Sequence, residues 1–160
     1  MHILVRPASE DDLSEIKRLY WQLDTDAVSY QPQHFQRLDR PDDFLVSIIG
    51  SPSSAFLLIE EDGSTVGFAL VQEKQTAKVS CIKPENYLYI LDFVIEETRR
   101  SRGLGKVLLD ACVDWGNRRK LAFLRLSVFP ENGGAIAFYE REGLSATMQT
   151  MERRLNGNIE

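Results

Sequence analysis

The sequence predicts one α/β domain, and three observations support this fold class. Residues 87–95 are apolar at almost every position and rich in β-branched and aromatic side chains, which predicts a strand buried on both faces. A basic turn with Gly103 and Gly105 follows, and apolar side chains then recur at helical spacing: Leu104, Val107, Leu108, Ala111, Cys112 and Trp115. A chain of 160 residues, 43% hydrophobic and 27% charged, also has the size and composition of one globular domain.

The chain is predicted to begin with a strand and a helix. Residues 2–6 form the strand, which Pro7 closes. Ser9 then caps the helix, and Asp12 three residues later is an acidic partner of the capping-box type. We expect a polar loop at residues 24–30 after the helix. The helix has a five-residue core face: Leu13, Ile16, Leu19, Tyr20 and Leu23.

A second helical region and a β-hairpin follow. Residues 33–38 and 42–49 have helical character on either side of Pro41, which interrupts them. Residues 55–60 and 65–72 are predicted strands, and the Asp-Gly pair between them is a strong hairpin signal. The polar connection that leads from this hairpin to the central strand has no clear pattern.

The last part of the chain predicts a strand, a helix and a strand. Residues 121–129 form the first of these strands, and residues 135–142 form a short helix that stops at Gly143. Residues 146–155 form the last strand. The predicted order is β-α-α-β-β-β-α-β-α-β, an antiparallel start with a parallel-type crossover in the second half. No repeat, low-complexity tract or linker interrupts it, so residues 1–160 are expected to form a single domain.

The charge and the cysteines limit the classes of function. A net charge of −5 and a pI of about 5.1 disfavour general nucleic-acid binding, apart from one local basic cluster: Arg99, Arg100, Arg102 and Lys106. No apolar run is long enough to span a membrane, and the first residues are too short for a signal peptide, so a cytoplasmic protein is expected. Cys81 and Cys112 are expected to be reduced structural thiols.

The turn after the central strand predicts an anion site. Gly103 and Gly105 allow close approach of a ligand to the backbone, and N–H groups at a helix N-terminus suit a phosphate. A P-loop would require a glycine at Arg100 and a hydroxyl at Val107, and a dinucleotide fingerprint would require a small residue at Leu108. What remains is Arg-x-x-Gly-x-Gly between a buried strand and a helix, which favours a pyrophosphate-bearing cofactor. The alternative is a helix start with solvated arginines.

Two blocks of the sequence stand out, the segment Arg100-Ser-Arg-Gly-Leu-Gly105 and the later segment Asn132-x-x-Ala-x-x-Phe-Tyr139-x-x-x-Gly-Leu144. With these two blocks the chain resembles the GNAT superfamily of acetyl-CoA-dependent N-acetyltransferases, whose loop the first block matches. The opening Val5-Arg-Pro-Ala8 is also typical, whereas Glu97 stands where many members have proline. The resemblance implies a single domain with a mixed, mostly antiparallel sheet of about six to seven strands, flanked by about four helices.

The resemblance also implies how acetyl-CoA binds as a co-substrate. Backbone N–H groups of Phe93 and Ile95, on a strand that splays from residues 121–129, bind the pantetheine arm and the thioester carbonyl, an oxyanion-hole function. The arginine side chains either screen the phosphates or are only solvated. The loop contacts the pyrophosphate through seven residues: Arg100, Ser101, Arg102, Gly103, Leu104, Gly105 and Lys106.

Three further residues have implied roles, each with an alternative. Tyr139 donates a proton to the departing thiolate, or is a half-buried aromatic residue beside Phe138. Asn132 binds the cofactor, caps the following helix, or does both. Asp92, one carboxylate in an apolar strand, acts as general base or orients a cationic amine, or is a satisfied carboxylate at a bulge. Glu96 and Glu97 are weaker candidates for the base.

The predicted reaction is direct transfer of acetyl to a primary amine in a ternary complex. No Cys-His-Asp or Ser-His-Asp spacing indicates an acyl-enzyme, and no metal-ligand cluster is visible. The acceptor is a small molecule or a protein, and the aspartates of residues 24–30 favour a cationic one. Alternatives are another acyl-CoA donor, a non-catalytic coenzyme A-binding regulatory module, or a nucleotide-binding module. The resemblance also allows for a homodimer.

Overall fold

A computed structural model describes residues 1–155, which contain five strands and four α-helices. Short 3₁₀ turns at Glu10–Asp12 and Glu97–Arg99 precede α1 and α3. The predicted order of elements is confirmed as far as the fourth helix. The elements are β1 Ile3–Pro7, α1 Leu13–Tyr30, α2 Asp42–Ile49, β2 Ser54–Glu61, β3 Ser64–Gln75, β4 Asn86–Ile95, α3 Leu104–Arg118, β5 Leu124–Leu126 and α4 Gly133–Arg141.

The strands form one mixed sheet in the order β1-β2-β3-β4-β5. The first three pairings are antiparallel and the β4–β5 pairing is parallel, so the predicted mixed and mostly antiparallel sheet is confirmed. The β2–β3 hairpin turns at Asp62 and Gly63, which both have positive φ, as the Asp-Gly signal predicts.

The predicted number of strands is wrong. The described chain has five strands, because residues 146–155 are exposed throughout and form no strand. A strand requires a ladder partner and a face to bury, and the large apolar side chains of this segment, Met148 and Met151, are 87% and 89% exposed. The strand predicted at 121–129 is also shorter, since only Leu124–Leu126 pairs with β4.

Two predictions around α1 and α2 are also wrong. Residues 24–30 continue α1 to Tyr30 instead of forming a loop, because Asp24 and Ala27 are buried against the core. Residues 33–38 contain only a turn. An isolated helix of six residues is too short to offset the cost of nucleation. Instead, Phe35 contacts the ring of Phe129 and the Arg37 guanidinium lies over the ring of Trp21.

The two faces of the sheet pack against different helices. On one face, α1 and α2 cover side chains of β2, β3 and β4, in a core that includes Leu19, Leu45, Phe56, Phe68 and Val94. On the other face, α3 packs on β2, β3 and β4. The predicted apolar face of α3 is confirmed except at Val107, which is 38% exposed, and at Ala111, which is only half-buried. The buried residues of α3 are Leu104, Leu108, Leu109, Cys112, Trp115 and Gly116.

Cys112 has the structural role that the sequence predicts. Burial raises the pKa of its thiol to about 12, so the group stays protonated at neutral pH and is a poor nucleophile. None of the helices in residues 1–155 is both long and apolar enough to cross a membrane.

The chain divides into two compact units. The first, Met1–Phe129, contains the sheet and the first three helices. The second begins at Pro130 and contains α4.

A partly buried ion pair fixes the start of α1. Ser9 and Asp12 form a capping box, as the sequence predicts, and Arg6 donates two hydrogen bonds of 2.9 Å to the Asp12 carboxylate. Glu60 accepts a third hydrogen bond from the same guanidinium. The hydrogen bonds from Arg6 are the main cause that lowers the pKa of Asp12 to about 2.

The Asp12 carboxylate should make stability dependent on pH. Because its pKa is lower in the folded chain than in the unfolded chain, it contributes stability that is present above about pH 4 and lost as pH falls toward about 2. We expect Asp12→Asn to remove about 1–2 kcal/mol of the difference in unfolding free energy between pH 7 and pH 3. Urea unfolding at the two pH values measures this difference. Asp11→Asn, at the exposed neighbour, is the control, and an equal loss in both variants would contradict the assignment.

Gly67 marks a close approach of β3 to β4. A Cβ at this position would lie 2.5 Å from the Val94 carbonyl oxygen and 2.9 Å from Cδ1 of Ile95. We expect Gly67→Ala to lose about 1–3 kcal/mol of stability, because the Val94 backbone must move. Thermal unfolding should show a Tm several degrees lower. Gly50→Ala, whose Cβ would meet only an ordinary contact at 3.6 Å, should leave the Tm nearly unchanged.

Candidate functional site

A β-bulge in β4 turns one carboxylate toward α1. Leu70 of β3 is opposite Asp92, whereas the next residue, Val71, is opposite Ile90, so Leu91 is an extra residue without a partner. Before the bulge, Leu88 packs against Gly116 of α3. One extra residue reverses the alternation of side chains. Asp92 therefore lies on the face covered by α1, although it is only two residues after Ile90.

The Asp92 side chain is half-buried, and within residues 1–155 its carboxylate has one hydrogen-bond donor. The hydroxyl of Tyr20, on α1, donates to Oδ2 of Asp92 over 2.7 Å. Burial raises the pKa of Asp92, and the nearby Asp24 adds to this increase, while the Tyr20 hydroxyl and Arg40 oppose it. Asp92 therefore lies beside a bulge and has a hydrogen-bond partner, as one alternative from the sequence expected, while its role as a general base stays a prediction.

A second ion pair lies beside Tyr20. Arg40 donates a hydrogen bond of 2.9 Å from Nη2 to Oδ1 of Asp24, and its guanidinium carbon is 4.1 Å from the centre of the Tyr20 ring. Asp26 pairs with Arg100 at 3.0 Å. Both aspartates that suggested a cationic acceptor are thus neutralised by arginines, so their charges alone do not favour a cation.

The loop between β4 and α3 provides exposed backbone donors. Ser101 and Gly103 have positive φ values of 63° and 83°, and Gly103 is the N-cap of α3. The N–H groups in the first turn of a helix have no acceptor within the helix, and here the N–H of Val107 bonds back to the Gly103 carbonyl at 3.3 Å. The N-terminus of α3 therefore has the positive end of a helix dipole, an arrangement that suits an anion.

The arginines of this loop form ion pairs with carboxylates. The side chain of Glu61, at the end of β2, is only 2% exposed and pairs with both Arg99 and Arg102. Arg99 is also 3.5 Å from Glu96, and Arg100 donates a 3.0 Å hydrogen bond to the Ile95 carbonyl. Neither alternative from the sequence, phosphate contact or solvation, included this role. Sequence reasoning missed Glu61. The signal that could have found it is a carboxylate beside the predicted hairpin turn, which is a candidate partner for the basic cluster.

Gln22 of α1 connects β4 to the loop. Its amide nitrogen donates to the Ile95 carbonyl and its amide oxygen accepts the N–H of Glu97, both over 3.0 Å. The amide thus binds the backbone on both sides of Glu96. That carboxylate is itself paired with Arg18 at 2.6 Å, which weakens its candidacy as a base. Sequence reasoning missed Gln22, because a polar residue on an amphipathic helix gives no local signal of a distant backbone partner.

The β4–β5 ladder is short. Leu88, Tyr89 and Ile90 pair with Leu124–Leu126, and the ladder ends there. Phe93 and Ile95 pair with Ala69 and Gly67 of β3 on their other side. The ladder thus ends before the C-terminal end of β4, which leads directly into the loop, and the splay that the resemblance implies stays a prediction.

The remaining predicted residues lie in the second unit. Asn132 caps α4, because its Oδ1 accepts the N–H of Ala135 at 3.1 Å, which confirms the capping alternative. Tyr139 is half-buried on α4, with its ring centre 5.2 Å from that of Phe138. The structure thus brings Asp92, the end of β4 and the loop together in the first unit, while roles for Tyr139 and Asn132 in binding or catalysis stay predictions.

Comparison with solved structures supports the fold. A mutant of the BH1408 protein from Bacillus halodurans superimposes with a TM-score of 0.90 at 24% identity, covering 95% of this chain and 99% of that one. The aminoglycoside N-acetyltransferase AAC(6')-Iy in complex with CoA superimposes with a TM-score of 0.71 at 19% identity, covering 97% of this chain and 95% of the other. At these identities the similarity extends to the fold alone.

Sequence comparison identifies the family. An uncharacterized N-acetyltransferase of Methanocaldococcus jannaschii, MJ1207, is 25% identical over 141 residues, which are 87% of this chain but 59% of the relative. The chain thus spans about three fifths of the length of that relative. The profile of the acetyltransferase (GNAT) family matches residues 13–144, most of the chain and both of the motifs described above. The protein therefore belongs to the acetyltransferase (GNAT) family.

Proposed function

We propose that this protein is an N-acetyltransferase that moves the acetyl group of acetyl-CoA to a primary amine by direct attack in a ternary complex. The observation that carries the proposal is the start of α3, where a left-handed Gly103 is the N-cap of a helix that follows the β4 loop, since a helix N-terminus of this kind suits an anion. Family membership supplies the chemistry of the donor. Residues 1–160 are proposed to act as one catalytic domain.

The loop is proposed to bind the pyrophosphate through its backbone. The fastening of Arg99 and Arg102 to Glu61 supports this, because it fixes the course of the loop and engages the arginine side chains elsewhere. The Lys106 ammonium is 3.5 Å from Asp110 and most of its side chain is exposed. The proposed contacts come from seven residues: Arg100, Ser101, Arg102, Gly103, Leu104, Gly105 and Lys106.

The transfer step requires a base, an oxyanion site and an acid. The amine nitrogen attacks the thioester carbonyl, so a C–N bond forms, the C–S bond breaks and the thiol is released. Backbone N–H groups of Phe93 and Ile95 are proposed to stabilise the negative charge that develops on the carbonyl oxygen. Asp92 takes the proton of the ammonium, directly or through water, and Tyr139 donates a proton to the departing thiolate. The second proton, which the nitrogen loses after attack, passes to water, and Tyr139 regains its proton from water.

Asp92 has properties that suit a general base. An alkyl ammonium has a pKa of about 10.4, so its proton must be removed before attack. Burial raises the pKa of Asp92, which makes its carboxylate a stronger base than an exposed aspartate. With this sign, the rate should fall at acidic pH as Asp92 becomes protonated.

The acceptor is proposed to be a primary amine on a small molecule or a protein. An aminoglycoside acetyltransferase shares the fold, and aminoglycosides are therefore natural members of a test panel. We also propose a homodimer as the assembly, and light scattering of the purified protein measures this directly.

The loop can be tested with two matched glycines. Gly103 and Gly63 have φ values of 83° and 84°, and a Cβ on either would have no neighbour within 4 Å. Alanine at either position should therefore cost a similar amount of stability, about 1–2 kcal/mol of backbone strain. We expect Gly103→Ala to raise the Kd for coenzyme A about tenfold, because relief of the strain displaces the loop N–H groups. Calorimetric titration measures this Kd, and equal Kd changes in Gly63→Ala and Gly103→Ala would contradict the proposed site.

Asp92→Asn and Tyr139→Phe test the catalytic assignments. Each variant should bind coenzyme A like the wild type but should release free thiol at least about 100-fold more slowly, since general acid and base catalysis contributes at least that much. The assay uses a panel of acyl-CoA donors with a panel of primary amines. If thiol is released faster from another acyl-CoA, that compound and not acetyl-CoA would be the donor. A wild-type protein that binds coenzyme A and acetylates no amine would instead support a non-catalytic module.

A further inference from the structure

Tyr20, which is buried, and Asp92, which is half-buried, form a hydrogen-bonded pair that the proposed reaction does not yet explain. Tyr20 is 2% exposed and its ring packs between Phe56 and Phe68, with centroid distances of 6.2 Å and 4.9 Å. A tyrosine at this position needs only its ring to fill the core. Its hydroxyl instead reaches the one carboxylate that the bulge turns toward α1.

We propose that Tyr20 is a positioning residue for Asp92, which holds one carboxylate oxygen and leaves the other directed to the acceptor amine. The geometry is one-sided, because the hydroxyl bonds to Oδ2 over 2.7 Å. Within residues 1–155, Oδ1 of Asp92 receives no hydrogen bond from a side chain or the backbone. The inference rests on the proposed function through the role of Asp92 as the base.

The ring of Tyr20 is held in place from two sides. Phe56 and Phe68 contact it from the core, and the Arg40 guanidinium lies over its face. Asp24, one turn further along α1, holds Arg40 in that position through two hydrogen bonds. The hydroxyl therefore cannot turn away from Asp92 without disturbing an aromatic cluster and a buried ion pair.

Tyr20 acts as a donor and not as an acid in this arrangement. Burial and the adjacent negative charge of Asp92 raise the pKa of the phenol, so it keeps its proton while Asp92 is ionised. The proton of the acceptor amine therefore passes to Asp92, and no proton leaves Tyr20. The charged and titratable groups around Asp92 are the Tyr20 hydroxyl and Asp24 on α1, and Arg40 from the segment that follows.

This assignment predicts opposite effects for two variants. Tyr20→Phe removes a donor to the charged carboxylate, so Asp92 should become protonated at higher pH. Asp24→Asn removes a nearby negative charge, so Asp92 should become protonated at lower pH. If Tyr20 and Asp24 had only a packing role, the two variants would not shift the Asp92 midpoint in opposite directions.

The first measurement does not depend on activity. The carbon-13 shift of the Asp92 carboxyl, assigned by its loss in Asp92→Asn, is followed against pH in the full-length protein. We expect a midpoint at higher pH in Tyr20→Phe, at lower pH in Asp24→Asn, and unchanged in Tyr87→Phe. Tyr87 is the matched control, because its hydroxyl lies on β4 outside this cluster, where its ring stacks on Phe123. A midpoint that Tyr20→Phe leaves in place would overturn the inference.

The second measurement uses the acceptor found in the amine panel. The fall of kcat/KM at acidic pH should follow the titration of Asp92. At a pH below the Asp92 midpoint, Tyr20→Phe should therefore have a kcat/KM about tenfold lower than the wild type. At higher pH, where kcat/KM no longer depends on pH, the kcat/KM of Tyr20→Phe should differ from that of the wild type by less than about threefold. If Tyr20→Phe shifts the carbon-13 midpoint of Asp92 but leaves the pH dependence of kcat/KM unchanged, Tyr20 remains the partner of Asp92, but Asp92 is rejected as the base. The two proposals therefore fail separately.

Discussion

One extra residue in β4 determines how the site is built. A strand alternates its side chains between two faces, so a regular β4 would direct Asp92 toward α3, together with Leu88 and Ile90. The bulge at Leu91 turns it toward α1 instead. An ionised carboxylate packed against α3 would lie among Leu108 and Cys112, where it would be costly. On the α1 side the Asp92 carboxylate accepts a hydrogen bond from the Tyr20 hydroxyl, which offsets part of the cost of removing the charge from water.

The buried charges on this molecule are compensated by specific partners. Glu61 is almost fully buried, but two loop arginines neutralise it, and Asp24 is neutralised by Arg40. Removal of one partner from such a pair leaves a charge without compensation, which costs more than the pair contributes to stability. These pairs therefore fix the positions of the segments that carry them. The loop before α3 is held through Glu61, and the segment after α1 is held through Asp24.

The two functional regions of the first unit share a connection through α1. Gln22 binds the backbone on both sides of Glu96, and Asp26 pairs with Arg100 in the loop. Tyr20, on the same helix, contacts Asp92. A single rigid helix thus contacts both the proposed base and the loop that precedes α3. The distance between the two is set by a helix and a strand, which are more precise supports than loops.

The sequence by itself determined the local features of this protein, because local features depend on residues that are close together in the chain. The hairpin, the capping box, the buried face of α3 and the glycine turn all follow from spacings of a few residues. Only the tertiary structure decided the partners, since Asp92 and Tyr20 are 72 residues apart and Arg99 and Glu61 are 38 apart. It also decided that residues 146–155 form no strand and that α1 continues to Tyr30, because both depend on burial against distant residues. Periodicity predicts an element, but packing selects the atoms that it contacts.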